Sequence, residues 1–514
     1  MASAVFVGLF LVLYSQLRYP IPYMDHFIHV DFVLTGRWGL SDLWASYGEN
    51  RPIAMRLMTL ADYGLDAGSD GFFILAGLVC LAGQFLLVTR LLRRPAWSPV
   101  RLAALMAAAW LLTRAYTLEG WVWAPGAQFY VTAFIACAAI FLASAQPCGV
   151  LRIAGATLLA ALAAATYGNG VLVFFCIAAI MALNRQIWAL LPGIAGLLWS
   201  LAFLHGQHGA SLYGEASSSV ATPWDLAVYA IAWLGGPWSR FWGTVPIGLA
   251  QALLLIGLSI HAALQLWRRH DLTWRRLHAY GLGLMLFALG TAVVTALVRV
   301  EFGPTQAATP RYGIFLAVGL CGAALTTVPL LESLTPARRR IAAWLGAAAM
   351  AVLLCEQAAA TVYYMDKVGR LRADWLAILS GDLSEERLRR PLPPDPAGAR
   401  RVLAAARQDR SFGFREAWAV SVGQEWTGIS QAPCPDTVRP MEEFSGMRIL
   451  GGGPSAAGFG RLIAVRIADR RIVGLGAGTG LGTWRLALPM NESAFDIIAV
   501  HGSEGCTIAR MGAP

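Results

Sequence analysis

The stretch GFFILAGLVCLAGQFLLVT, residues 71–89, carries no charged side chain and runs straight into RLLRRPAWSPVR, residues 90–101, with its four arginines. An uncharged apolar run of roughly 20 residues matches the hydrocarbon thickness of a bilayer. A core helix of a soluble protein would show a polar face over the same length. Outward from this stretch, further apolar runs lie near residues 2–18, 101–113, 127–146, 151–167, 170–184, 187–205, 243–267, 278–298, 312–331 and 341–363. Together they predict an all-α polytopic membrane bundle of about eleven transmembrane helices, several of them short. Composition agrees: 57% of the 514 residues are hydrophobic and 14% charged, against roughly 25% charged in a soluble domain, and mean hydropathy is +0.56. The net charge of +10 then speaks for membrane topology rather than nucleic acid, because basic residues collect on the cytoplasmic loops of membrane proteins.

The first run, ASAVFVGLFLVLYSQL, has neither a basic leader nor an A-x-A cleavage site and reads as a retained helix. With alternating spans, Arg152, Arg185, RRHDLTWRR (268–276) and ARRRI (337–341) fall on the same side as the arginines of 90–101. The positive-inside rule assigns that side to the cytoplasm. The opposite side receives loop 18–70, loop 114–126, the TYGNG turn (166–170), segment 206–242, loop 299–311 and everything after residue 363. Loop 18–70 is too long for a connector. Its part RPIAMRLMTLADYGL (51–65) has apolar residues at helical spacing, and PWDLAVYAIAWLGGPW (223–238) has the same pattern with tryptophans near both ends. Both predict helices lying in the interface beside an outward-facing cavity.

The tail changes character. Residues 364–410 read as a helical linker, broken by PLPPDPAG (391–398). From 411 to 514, short runs such as RLIAVRIA, RRIVGLG, TWRLALP and FDIIAVHG alternate with glycine-rich turns, which predicts a mainly-β, sandwich-like domain. The chain therefore divides into a membrane domain over 1–363, the linker 364–410 and the β domain 411–514. Six of the eight cysteines lie in or beside apolar runs; Cys434 and Cys506 lie in the tail and could pair if it is extracytoplasmic. GLGAGTGLGTW (474–484) lacks the following helix and distant acid of a dinucleotide loop and is rejected as one.

Three outer stretches carry chemistry. YPIPYMDHFIHVDF (19–32) places Asp25, His26, His29 and Asp31 just beyond the first run. A partly shielded carboxylate such as Asp25 can act as a general base toward a hydroxyl; a loop acid paired with Arg18 or Arg37 would leave the same trace. Asp25, His26 and His29 are spaced so that one helical face could also hold a divalent metal ion, an alternative left open. SYGENRPIAMRL (46–57) sets Glu49, Asn50 and Arg51 before an amphipathic helix, and Arg51 suits a bidentate contact to phosphate or carboxylate, or a local cap. In VRVEFGPTQAATPRYGIF (298–315), Arg299 ends one apolar run while Arg311 and Tyr312 begin the next. Two guanidinium groups at the bilayer rim suit a lipid-linked phosphate, or simple snorkelling. Asn169 of TYGNG could hydrogen-bond into the cavity.

In order and sidedness these pieces resemble the GT-C superfamily of membrane glycosyltransferases. YMDHF resembles the acidic motif of that family's first outer loop, with Asp25 at the position of the catalytic base. GENRPIAMRL is similar to a family stretch matching at Glu49 and Arg51, FGPTQAATPRY to an outer loop matching at Gly303, Arg311 and Tyr312, and TYGNG to a glycine-rich turn. His26 departs from the pattern, standing where the family carries a second acid. Over roughly residues 1–330, the resemblance implies an inverting transfer of sugar from a polyprenyl-phosphate donor to a hydroxyl of a glycan, lipid or protein. It implies Arg51, Arg299, Arg311 and Tyr312 as donor-phosphate contacts, with His26, Glu49 and Asn169 in support. The location implied is a bacterial inner membrane, with the tail outside. A transporter or flippase for an anionic or lipid-linked substrate is the other reading. The apolar middles of the runs speak against it, since transporters place polar groups near mid-membrane.

Overall fold

The structure is a computed structural model. It describes residues 22, 26–36, 39–45, 51–66, 68, 70–93, 97–118, 126–146, 148–204, 222–236, 243–268, 272–379, 396–415, 422, 424–427, 429–431, 438–444, 447–452, 461–480, 483–489, 494–501 and 504–512. Asp25, Glu49, Asn50, Cys434 and the first apolar run lie outside these residues.

Every apolar run after the first is helical. The bundle is built from α4 (Gly71–Leu92), α5 (Pro99–Leu112), α6 (Ala127–Ala143), α7 (Val150–Thr166), α8 (Leu172–Leu183), α9 (Leu190–Leu204), α11 (Thr244–Arg268), α12 (Leu272–Arg299), α14 (Gly313–Ser333) and the first part of α15 (Pro336–Leu379). Four described helical stretches are long and apolar enough to cross a membrane: Gly71–Leu92, Thr244–Arg268, Trp274–Ala307 and Pro310–Ser333. Five others are apolar but shorter. At 1.5 Å per residue a 12- to 17-residue helix falls short of the roughly 30 Å hydrocarbon core. The sequence count of about eleven spans is therefore not carried by full-length helices among the described residues.

Side-chain exposure shows what surrounds the bundle. On α11, Gly248, Ala252, Leu255, Ser259, Ala262 and Leu266 face inward, while Leu249, Leu253, Ile256, Ile260, Leu264 and Trp267 are exposed. Both faces are apolar, so the outer one has lipid rather than water as its natural solvent. These helices make the chain a multi-pass membrane protein. The inward face is closely fitted: α10 (Pro223–Gly235) crosses α11 where a Cβ on Gly248 would lie 1.8 Å from the Ile231 carbonyl oxygen, so only glycine fits there.

Several of the arginines placed on one side by the sequence share one end of the bundle. Arg101 makes a two-pronged contact with Glu332 (2.9 and 3.1 Å) and lies over the Trp274 ring, tying α5 to α14 and α12. Arg275 donates to Asn184 Oδ1, Arg185 lies over Trp267, and Arg339 donates to the Glu332 and Leu334 carbonyls at the end of α14. Each of these four guanidinium groups has a local structural task.

Three helices come from the long outer loop: α1 (His26–Leu34), α2 (Leu40–Trp44) and α3 (Ile53–Asp66). The two amphipathic stretches expected to be helical are helices, α3 and α10. In the tail, α15 continues unbroken through residue 363, where the sequence reading set a boundary, and α16 (Pro396–Gln408) packs against α1. Strands β1 (Ile429–Gln431), β2 (Val438–Phe444), β3 (Met447–Gly452), β4 (Arg461–Arg466), β5 (Ile472–Gly480), β6 (Thr483–Pro489), β7 (Phe495–His501) and β8 (Glu504–Met511) form one eight-stranded sheet, ordered β1-β8-β7-β4-β5-β6-β3-β2. All neighbours are antiparallel except the β1–β8 pair. One face closes around Trp484, Leu462, Leu486, Phe495 and Ile497; α15 packs on β5 and β6. GLGAGTG is part of β5, and a Cβ on Gly474 would lie 2.3 Å from the Ala487 carbonyl oxygen of β6. Cys506 is in a disulfide; its expected partner, Cys434, lies outside the described residues.

Candidate functional site

The end of the bundle away from the tied arginines is organised by one tyrosine. Tyr116, in the helical turn Ala115–Leu118 after α5, donates to the Ala308 carbonyl (2.6 Å). A Cβ on Gly313 would lie 2.6 Å from its ring, and one on Gly236 2.8 Å from its hydroxyl. The ring thus fills the space left by two glycines and fixes loop 299–312 against the bundle. Tyr229 of α10 adds a hydrogen bond from its hydroxyl to Gln306 Oε1 of α13 (Gly303–Ala307).

Within this fixed loop, Arg299 and Arg311 lie over the same ring, that of buried Tyr312, at 5.8 and 5.2 Å from its centroid. The Tyr312 hydroxyl is in hydrogen-bond contact with the Tyr167 and Arg311 side chains. Phe129 at the start of α6 packs edge-on against Tyr167, Tyr312 and Phe315, and Tyr167 stacks on Phe315. The TYGNG turn is therefore one wall of the arginine site. Gly170 lets the turn sit on α7, since a Cβ there would meet the Ala163 carbonyl group at 2.2 Å. Asn169 is buried and donates to Thr291 Oγ1 (3.2 Å), below the arginine pair on α12.

The outer-loop module lies against the same end. Met55 and Met58 of α3 pack with Phe73 and with Ala127, two residues before Phe129. Arg51 donates to the Trp44 carbonyl (2.6 Å) and lies over the Trp44 ring. Arg56 donates to the carbonyls of Asp42, Leu43 and Ala45, closing the C-terminal end of α2, where a cation is favoured. The contacts seen for Arg51 thus run to α2, while Arg299 and Arg311 both meet the Tyr312 ring.

His26 and His29 are both buried. The His26 ring sits edge-on between Phe73 and Phe412, with Nδ1 3.9 Å from Asp70 Oδ1. A carboxylate there would favour a charged imidazole, but 3.9 Å is too long for a hydrogen bond. Burial wins, and His26 is held down at about 3. His29 is likewise lowered to about 3 by burial, with His26 and Arg56 adding to the effect. Among the described residues no group of three or more His, Cys, Asp and Glu could hold a metal ion. Asp31 instead lies 3.8 Å from Arg401 of α16.

Several contributors had no signal in the sequence. Asp62 accepts from the Asp70 and Phe72 amides and so starts α4. Tyr116, Tyr229 and Phe412 are contacts of long sequence separation; the glycines facing Tyr116 gave the nearest hint.

No family model matches the chain, and none of the curated proteins does. Among solved structures it is similar to the crystal structure of ArnT from Cupriavidus metallidurans in the apo state, with 14% identity over 65% of this chain and 80% of that chain and a TM-score of 0.28. A likeness of that size carries no argument, and the functional reading rests on the residues.

Proposed function

We propose that the protein is an integral membrane glycosyltransferase that moves a sugar from a polyprenyl-phosphate donor to an acceptor hydroxyl on the outer face of a bacterial inner membrane. The observation that carries this reading is the pair of guanidinium groups on the Tyr312 ring, at the mouth of an apolar bundle. Arginine is suited to a phosphate at the interface, where the lipid tail stays among apolar helices and the charged head meets the rim. Asp25 is assigned as base. It takes the proton of the acceptor hydroxyl as the oxygen attacks the anomeric carbon, and the bond from that carbon to the phosphate oxygen breaks with inversion. The polyprenyl phosphate leaves with the electron pair, and Arg299, Arg311 and Tyr312 stabilise the charge that grows on it. Arg51, stacked on Trp44, is assigned to the edge of the same site, with Glu49, His26 and Asn169 in support.

Purified protein is expected to transfer sugar from synthetic polyprenyl-phosphate sugars, assayed with and without chelator. Asp25→Asn should lower turnover by orders of magnitude at unchanged expression. Full transfer by that variant would remove Asp25 from the mechanism.

A further inference from the structure

At the end of the bundle opposite the Tyr312 loop, Arg276 stands apart from its neighbours. Arg101 is paired with Glu332, and Arg275, one residue before Arg276 in α12, donates to Asn184. Arg276 lies over the Phe141 ring in the last turn of α6, 4.3 Å from its centroid, and the buried Tyr280 ring backs Phe141 edge-on. A planar guanidinium stacked on a ring that is itself packed keeps its orientation. Its Nε is buried, and among the described residues that atom has no hydrogen-bond partner.

Arg276 feels two charges of its own sign, those of Arg152 in the first turn of α7 and of Arg90 in the last turn of α4. α4, α7 and α12 all pack on α6, so three helices bring three guanidinium groups around its end. Arg90 and Arg152 are exposed, and snorkelling from the end of a span accounts for both. It does not account for Arg276, because snorkelling would free the head, whereas this head is held on a ring with one donor buried. Three like charges repel, and one of them is partly desolvated; an anion among them offsets both effects. Beside helices whose outer faces meet lipid, the anion at hand is a headgroup phosphate.

We infer that Arg90, Arg152 and Arg276 form a binding site for the phosphate of an anionic phospholipid headgroup, in the leaflet at the arginine-rich end, with Arg276 as its floor. Arg276 and Arg299 are both on α12, about 35 Å apart along its axis. The lipid site is therefore separate from the donor site and does not depend on the transferase reading. A lipid held there joins α4, α7 and α12 at an end where repulsion would otherwise part them.

Full-length protein in zwitterionic detergent is titrated with phosphatidylglycerol, phosphatidylcholine or soluble glycerophosphoglycerol, and bound molecules are counted by native mass spectrometry. Phosphatidylglycerol is expected to bind about tenfold tighter than phosphatidylcholine. Arg276→Gln, and separately Arg90→Gln with Arg152→Gln, should each weaken it about tenfold. Arg338→Gln, which removes an exposed arginine of α15, should change it less than about twofold. The paired variant alters only exposed side chains, so it decides the matter even where Arg276→Gln fails to fold. Equal binding of the two lipids, or unchanged phosphatidylglycerol binding in the paired variant, overturns the site. A loss in Arg338→Gln as large as in the cluster variants also overturns it, because the affinity would then belong to diffuse surface charge. Glycerophosphoglycerol binding as tightly as the lipid would overturn a lipid as the ligand and leave a site for free phosphodiester.

Discussion

The two ends of the bundle use the same side chain in opposite ways. At one end Arg101, Arg275 and Arg339 are spent on Glu332, Asn184 and helix-terminal carbonyls, and Arg185 lies over a tryptophan. At the other, Arg299 and Arg311 come from different helices onto one tyrosine ring, on a loop locked by Tyr116. Arginine count alone therefore marks topology, and only convergence marks a site. A guanidinium that closes a helix end is a structural part, whereas two held over one phenol form the arrangement on which the proposed phosphate site rests.

The sharpest way to break this comparison is to remove charge at each end. Arg299→Ala with Arg311→Ala should lower kcat/KM about 10²- to 10³-fold, with the thermal midpoint nearly unchanged; steady-state transfer and a melting curve check both halves. Glu332→Ala should do the reverse. Leaving Arg101 partly buried without its carboxylate costs about 2 kcal/mol, read by thermal unfolding, while turnover per folded molecule stays at the wild-type value. A third test concerns the histidines beside the site. Both lie at about 3 in the fold against an ordinary 6.5, so the unfolded chain takes up protons first. Stability is full above pH 6.5 and declines as pH falls from 6.5 toward 3. A midpoint flat between pH 7 and 4 would show that His26 and His29 are not buried as neutral imidazoles.

How much of this was legible beforehand follows from the range of each interaction. The helices were readable because lipid imposes one strong requirement, an uncharged run, on contiguous residues. Strands β4 and β7 were readable for a related reason: LIAV and IIAV are continuous apolar runs, as expected of strands buried on both faces. VRPMEEF of β2 carries two glutamates and offers no such signal. The boundary at 363 follows hydropathy, but a helix does not end where its solvent changes, and no proline interrupts α15 between residues 337 and 379. Arg299, Arg311 and Tyr312 were legible as a pair of loop ends. What brings them together was not, because Tyr116 and Tyr167 lie more than 130 residues earlier in the chain. Arg51 is the converse case: the sequence offered either a phosphate contact or a local cap, and the contact seen runs to the Trp44 carbonyl.

The unbroken course of α15 has a mechanical consequence. Gln357 meets the Thr113 carbonyl at the rim of the bundle, and Leu379 follows 22 residues later, about 33 Å along a straight helix. A rod of that length is a lever: a tilt of about 10° imposed by a thinner bilayer would swing its far end by about 6 Å. The dock of α16 on α1 closes that lever into a truss, with the bundle, the rod and the returning tail as its three members. The sheet packs on α15 through β5 and β6 and is thereby tied to the same truss.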